Sequence, residues 1–595
     1  MARDVRAVVV ANPTATFLTV CPILALFALT STPGFIPIIS LVTSLRVWTW
    51  VALPRTDKKP SQVGQILLVS LAAGATQLAP TLAALSSPTT SLLILSLLSV
   101  FTSSIAFIAL FVSHYATRAV NSPWSRITIF PAIWATTWGF MSRVSPLGHL
   151  ANWSPVLGVG AYGWTREVFG QWGIDWVTAA WAVVFSEILG DWLVAVDQQE
   201  LESHAQDLLL EVPDEDLPSG NTRDIPNGTP KNFLSRSHSL WSLAVILILL
   251  AIPSYVLPSS PLPPQSSDTT SFTVGCALPA SRTTGKIRGN PTLQDYIHET
   301  QTLTSAAPIV LWPEGAVRFA SPEEKQAAFD RIQQALGRDR YVGVSFIDYT
   351  PARREYGLDY PAMTRNGFAL LAYKGPPVME YYKRNLVPIA ESFSLTPGNE
   401  EPSIYTLELR APKSWNKTDW APAPNYTRPI PITASICFDF ASSSSFTQLE
   451  SRPAIILAPA RTWHLGIGNA MWEQAKARAK EAGSVVVWCD GGPGGVSGVA
   501  SRGHEEILQV GQGSWTSTVG LQWPFDERRS AFIASGQFTA LVSVWGALGL
   551  GWIVEIVANR RIGVGMFRSL LGVLGRVTRL GGAPKNDEER PLLHD

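Results

Sequence analysis

The chain has 595 residues, enough for two or three domains. Its 46 basic and 46 acidic side chains cancel, which removes the basic footprint expected of a nucleic-acid-binding protein. Charged residues make up only 15 % of a chain that carries 22 Trp. That balance leans towards a membrane protein, because Trp gathers where acyl chains meet headgroups.

In chain order, residues 14–31 and 33–53 read as an apolar hairpin broken at Pro33-Gly34. Residues 64–85, 91–113, 239–257 and 531–554 carry no Lys, Arg, Asp or Glu. Residues 127–144 are shorter and contain Arg143, and 173–196 carry Asp175, Glu187 and Asp191. A bilayer is crossed by about 20 apolar residues, so the expectation is a multi-pass α-helical membrane domain of about eight spans. The first stretch lacks the layout of a cleaved signal and reads as an anchor.

Basic residues fit one orientation. With Arg3 and Arg6 inside, the inner segments hold Arg55, Lys58, Lys59, Arg118 and Arg126, and the tail holds Arg560, Arg561, Arg568, Arg576 and Arg579. The positive-inside rule then puts residues 258–530 on the non-cytoplasmic side. The expected organisation is a six-span region 1–197, a flexible linker 198–238, a seventh span 239–257, the outer domain 258–530, an eighth span 531–556 and a basic tail 557–595. The sequons at Asn416 and Asn425 lie in the outer domain, and the tail segment 587–593 resembles an acidic dileucine sorting signal. Together they favour a eukaryotic endomembrane over a bacterial inner membrane.

The outer domain alternates buried strands with helices. Residues 308–312, 341–347, 367–373, 431–436, 454–457 and 484–488 read as strands, and 321–336 and 469–482 as helices. Ser321 with Glu324 makes a capping box, and Gly483 closes the second helix. This is an α/β domain with central sheets. Four Cys are too few for a disulfide scaffold and show no metal spacing, and Cys489 reads as core. Neither a metal nor a cofactor is expected, and the glycine run 491–498 is a turn and no phosphate loop.

Three reactive side chains stand at strand ends, where a rigid sheet presents groups to a cleft. Glu314 follows Pro-Ile-Val-Leu-Trp-Pro, Lys383 sits in Tyr-Tyr-Lys-Arg-Asn-Leu-Val-Pro-Ile-Ala-Glu391, and Cys437 ends Ile-Thr-Ala-Ser-Ile. A base, a cation and a thiol are the parts of acyl transfer through a thioester. Glu314 would take the thiol proton, Lys383 would favour thiolate and hold the oxyanion, and backbone N–H groups after Cys437 would complete the oxyanion hole.

That order and context resemble the nitrilase (carbon–nitrogen hydrolase) superfamily. The Leu-Val-Pro-x-x-Glu ending, the flanking spans and Phe130-Pro-Ala-Ile-Trp134 resemble bacterial apolipoprotein N-acyltransferase within it. The resemblance implies a nitrilase-like αββα sandwich between the seventh and eighth spans. It implies Glu314 as base, Lys383 at the oxyanion, Cys437 as nucleophile and Glu391 as supporting carboxylate. Asp439 stands where that family has Glu, and Trp463 stands in its Trp-containing loop. His464 reads as structural. The resemblance further implies a phospholipid acyl donor and an amine acceptor such as a lipidated protein. A membrane-tethered amidase with water as acceptor, and a non-enzymatic membrane interaction protein, are the competing functions.

Overall fold

The computed structural model describes residues 2–559 apart from 53–58, 86, 211–230, 257–267, 281–282, 285–286, 289, 356–357 and 414. The linker's centre, most of the inner basic tail and the dileucine-like segment lie outside the described residues. Apolar periodicity without strand signals makes the first part helical. Helices run Pro13–Ala28, Phe35–Val51, Lys59–Thr76, Pro88–Ala119, Pro123–Val144, Gln171–Leu210 and Lys231–Ala251, and Ala531–Asn559 follows the sheet domain.

Among the described residues, four helices are long and apolar enough to cross a membrane: Pro88–Ala119, Gln171–Leu193, His238–Val256 and Ala531–Val554. The expected count of about eight is therefore not met on this measure. Pro13–Ala28 and Phe35–Val51 are apolar but shorter. The stretch 64–85 is interrupted near Gln77, giving Lys59–Thr76 and then Leu78–Leu82. The helices expose their apolar side: Leu93, Leu97, Phe101 and Ile108 all point outward, as do Phe538 and Leu550. A continuous outward apolar surface marks contact with something other than water. Inside, one of the charges that weakened the 173–196 stretch is paired. Glu187 pairs with Arg46 at 3.6 Å, and the Arg46 guanidinium lies 4.4 Å from the centre of the Phe130 ring. Buried charge among apolar helices is tolerated only when paired in this way.

The sheet domain begins with Thr269–Cys276 (β1), Ile309–Leu311 (β2), Val317–Phe319 (β3), Tyr341–Thr350 (β4), Met363–Ala372 (β5) and Met379–Tyr382 (β6). It continues with Tyr405–Arg410 (β7), Thr427–Ala434 (β8), Ile455–Ala460 (β9), Val485–Asp490 (β10), Val496–Ala500 (β11), Glu505–Val510 (β12) and Trp515–Gln522 (β13). One sheet has the order β6-β5-β4-β2-β1-β13 with β3 beside β4, and the other runs β7 through β12 in sequence.

The two sheets face each other, with Phe272, Val274, Leu311 and Phe368 packed in one core with Ile432, Ile455 and Val486. Val310, alternating with Leu311, points the other way into a second core with Val344, Phe329 and Ile332. Helices Leu293–Leu303 and Pro322–Gln334 cover that face, and Leu465–Ala482 packs on β10 and β11. The layers are helix, sheet, sheet, helix.

Cys489 is not a plain core residue: it forms a disulfide with Cys276, joining β10 of one sheet to β1 of the other. Sequence spacing gave no sign of this bond because its ends lie 213 residues apart. The helix after Ser321 starts as expected, with the Ser321 hydroxyl accepting the Glu324 N–H at 3.3 Å. The reciprocal bond differs, because the Glu324 carboxylate accepts from the Ala320 N–H at 2.7 Å.

Candidate active site

β2 in one sheet and the parallel pair β8 and β9 in the other end on one side of the sandwich, and the chain leaving β6 reaches the same place. Glu314 follows β2 and is anchored through its own N–H, which donates to the Ala460 carbonyl at 3.2 Å. Lys383 is the residue after β6, its N–H donating to the Asn366 carbonyl at 2.9 Å. Cys437 begins a short 3-10 turn after β8 with φ +42°, a left-handed conformation rare for a side chain of this kind. Held strain of that sort persists only where the surroundings fix it.

Glu314, Lys383 and Cys437 converge and are all buried. The Lys383 ammonium donates to Glu314 Oε1 at 2.7 Å and to Glu391 Oε1 at 2.9 Å. Asn366 Nδ2 donates to the same Glu314 oxygen at 2.7 Å, and the Cys437 thiol is hydrogen-bonded to that carboxylate. Glu391 is also fixed by the Val387 N–H, at 2.8 Å.

Burial raises the Glu314 pKa; Lys383 opposes the shift and Glu391 adds to it. Burial pushes the Lys383 ammonium down, but Glu314, Cys437 and Glu391 together outweigh it and its net shift is upward. Burial and then the Glu314 charge push the Cys437 thiol well up, with Lys383 and the Arg461 backbone N–H pulling less strongly the other way. Lys383 does pull the thiol towards thiolate, but burial and the Glu314 charge outweigh it. The shifts favour a neutral thiol beside a charged Lys383 ammonium, a thiol that a neighbouring carboxylate can deprotonate during attack.

Asp439 binds the two halves of the site together. Its Oδ1 accepts the Arg384 and Asn385 N–H groups at 3.2 and 2.7 Å, beside Lys383. Its Oδ2 accepts the Tyr381 hydroxyl at 2.8 Å and the Ile436 N–H at 3.2 Å, beside Cys437. Asp439 therefore clamps the lysine loop to the cysteine turn and stays clear of the reacting atoms. The Asp439 N–H is already given to the Ile436 carbonyl at 3.0 Å, which removes one of the donors expected after Cys437.

Trp463 lies on the loop after β9, and its indole N–H donates to Pro80 of the helical region at 3.0 Å. His464 accepts the Gly466 N–H at 3.0 Å and caps the next helix. The glycine run wraps this loop closely: a Cβ on Gly492 would meet the Thr462 carbonyl oxygen at 1.8 Å.

Sequence reasoning passed over Asn366 and Asp490. Asp490 is the polar last residue of an otherwise apolar strand, the one available signal, and Asn366 lies inside β5. Asp490 holds the Thr462 N–H at 2.9 Å and the Gly492 N–H at 3.0 Å, shaping the loop between Cys437 and the glycine run.

Two cavities reach this cluster. One, of about 240 Å³, is lined by Ala73, Ile94 and Leu98 of the helical region and by Val387, Trp463 and Cys437. The other, of about 640 Å³, is lined by Glu314 and Arg461 with Tyr296, Asn290 and Gln512. No group of His, Cys, Asp and Glu among the described residues could hold a metal ion.

No protein-family model and no curated protein matches the chain. Solved structures of an amidase from Nesterenkonia sp. do. One is 17 % identical with TM-score 0.31, covering 48 % of this chain and 100 % of its own. A variant described as of the nitrilase superfamily is 16 % identical with TM-score 0.32, covering 48 % and 99 %. Another carries the acetamide moiety of fluoroacetamide on its active-site cysteine, at 17 % identity and TM-score 0.29, covering 44 % and 94 %. At these scores the likeness carries no argument about function.

Proposed function

We propose that the chain is a membrane-embedded acyltransferase of nitrilase type, moving a fatty acyl group from phospholipid through a Cys437 thioester to an amine. One observation carries the reading. Cys437 belongs both to the buried Glu314–Lys383 cluster and to the wall of an apolar cavity built by membrane-type helices. A soluble amidase has no use for the second. Ile94 and Leu98 line the cavity from Pro88–Ala119, whose other face is outwardly apolar, so a lipid tail would reach the thiol from the side. The motif contexts and the helix-sheet-sheet-helix layering support the nitrilase part.

In the first step the Cys437 sulfur attacks the ester carbonyl as Glu314 takes its proton. The oxyanion forms beside the Lys383 ammonium, and removing one such donor typically costs on the order of 100- to 1000-fold in rate. The C–O bond then breaks, and Glu314 returns the proton to the departing lysophospholipid. In the second step an amine attacks the thioester, Glu314 takes its proton, and Cys437 leaves as thiol. Glu391 and Asp439 position Lys383, and Trp463 ties the loop to the helices.

The proposed topology keeps about eight spans, with the sheet domain non-cytoplasmic, on the positive-inside rule. The Cys276–Cys489 disulfide supports that side, because such bonds form and persist in oxidising compartments. The domain boundaries stay at 258–530 for the catalytic unit and 239–257 and 531–556 for the flanking spans. Hydrolysis is the second reading, favoured by the larger cavity at Glu314, through which water would arrive. The test is incubation of the full-length protein with phospholipid labelled in its acyl groups. A hydroxylamine-sensitive label on Cys437 that passes to added amine supports transfer, and free fatty acid as the sole product supports hydrolysis. Unchanged turnover in Cys437→Ser would sink both.

A further inference from the structure

We propose that the amine acceptor is a water-soluble molecule bearing an acid group, entering by the larger cavity and held there by Arg461; the inference rests on the acyltransferase reading. The two cavities differ in who lines them. The smaller is faced by helices of the membrane type, while the larger is lined by sheet-domain residues alone. They approach the reacting atoms from different sides: Cys437 lines the first and Glu314 the second.

The loop after β9 makes the division. Arg461 lines the larger cavity, whereas Thr462 and Trp463 line the smaller, and the Thr462 hydroxyl is tied to Asp490 at 2.7 Å. The Arg461 backbone N–H meets the Cys437 sulfur, so this guanidinium stems from a residue already at the thiol. The Ala460 carbonyl accepts from both Glu314 and Gly491, at 3.2 and 3.1 Å, gathering two lining residues around one point beside Arg461.

Charge then selects the ligand. Glu314 is the one carboxylate among the lining residues, and it is spent on Lys383. The Arg461 side chain is exposed and makes no ion pair with any described residue. A guanidinium facing a polar cavity, uncompensated, fits a carboxylate or phosphate. An amine carrying such a group would place its nitrogen near Glu314, the base it needs.

The step balances. The free-base nitrogen attacks the thioester carbon, a C–N bond forms, and the C–S bond breaks. The amine proton passes through Glu314 to the departing sulfur. The product is an N-acylated acid, and the thiol is regenerated.

The test uses the full chain in detergent, loaded from mixed vesicles of phosphatidylcholine and phosphatidylglycerol labelled in their acyl groups. The labelled enzyme is chased with glycine, O-phosphoethanolamine, glycinamide or ethanolamine, and both label loss and product mass are followed. Glycine or O-phosphoethanolamine should discharge the enzyme at concentrations at least about tenfold below their uncharged counterparts, the size of one charge-assisted hydrogen-bond pair. Whichever of the two acts at lower concentration identifies the acid as carboxylate or phosphate. Arg461→Ala should raise the half-saturating concentration of the acidic amine about tenfold and leave that of glycinamide in place. Arg461→Glu should reverse the preference. Equal use of acidic and uncharged amines, discharge by lipid-anchored amines alone, or an Arg461→Ala effect common to all amines would overturn the proposal while leaving the acyl-enzyme standing. Failure to load any label overturns the acyltransferase reading and this inference with it.

Discussion

Replacing Lys383 with Met removes the cation on which the site depends while keeping much of its apolar stem. Lys383 lies 2.7 Å from Glu314 and 2.8 Å from Glu391, with its side chain 1 % exposed. At 2.7 Å and an effective dielectric of about 20, two unit charges attract by about 6 kcal/mol. Desolvation of the ions offsets much of this, and losing one partner of a buried pair costs about 3–5 kcal/mol of stability. The sign of the pH dependence follows. Without Lys383 the Glu314 pKa rises further above its unfolded value, so its ionisation opposes folding as pH increases. The stability deficit of Lys383→Met is therefore smaller near pH 5 than near pH 8. Acylation should fall by at least about 100-fold, since an oxyanion donor is lost and the base now holds its proton. Thermal unfolding at the two pH values and the rate of label transfer to Cys437 measure both effects. Wild-type acylation at neutral pH in a folded Lys383→Met protein would refute the role given to the pair.

Three further outcomes are expected. Acylation should rise with pH along a limb set by Glu314, above the ordinary carboxylate range because burial raises it and Glu391 adds to the shift; Glu391→Gln should move that limb to lower pH. Asp439→Ala removes five hydrogen bonds, four of which tie Tyr381, Arg384 and Asn385 to the cysteine turn, so kcat should fall about tenfold or more with the donor's KM little changed, and Asp439→Asn should recover part of the loss. Cys276→Ser opens a crosslink spanning 213 residues and should cost about 2–5 kcal/mol of sheet-domain stability, read in denaturant; thiol labelling of the denatured wild type without reductant should find Cys276 and Cys489 blocked.

Legibility followed how local each signal was. Glu314, Lys383 and Cys437 each carry a strand and a turn in their own neighbourhood, and the structure gathers all three around one point. Most expected strands appear with one to four residues of difference at their ends, as 341–347 does within Tyr341–Thr350. β1, with its polar Thr-Thr-Ser start, and β7 were passed over. So were β11, β12 and β13, where Gly498 and the polar run of β12 hide the alternation. The disulfide and the Asn366–Glu314 bond join segments distant in sequence, and only the sheet pairing sets them side by side. The net direction of the thiol's shift was not legible because it depends on burial, which outweighs the nearby ammonium. Gln77 interrupts a helix that hydropathy alone reads as continuous.

The central claim is that Cys437 takes an acyl group from lipid. Full-length protein incubated with phospholipid vesicles and digested under mildly acidic conditions should yield the Cys437 peptide carrying the mass of a fatty acyl thioester, removed by hydroxylamine and absent in Glu314→Gln. An unmodified Cys437 peptide, in protein that still releases lysophospholipid, would contradict it.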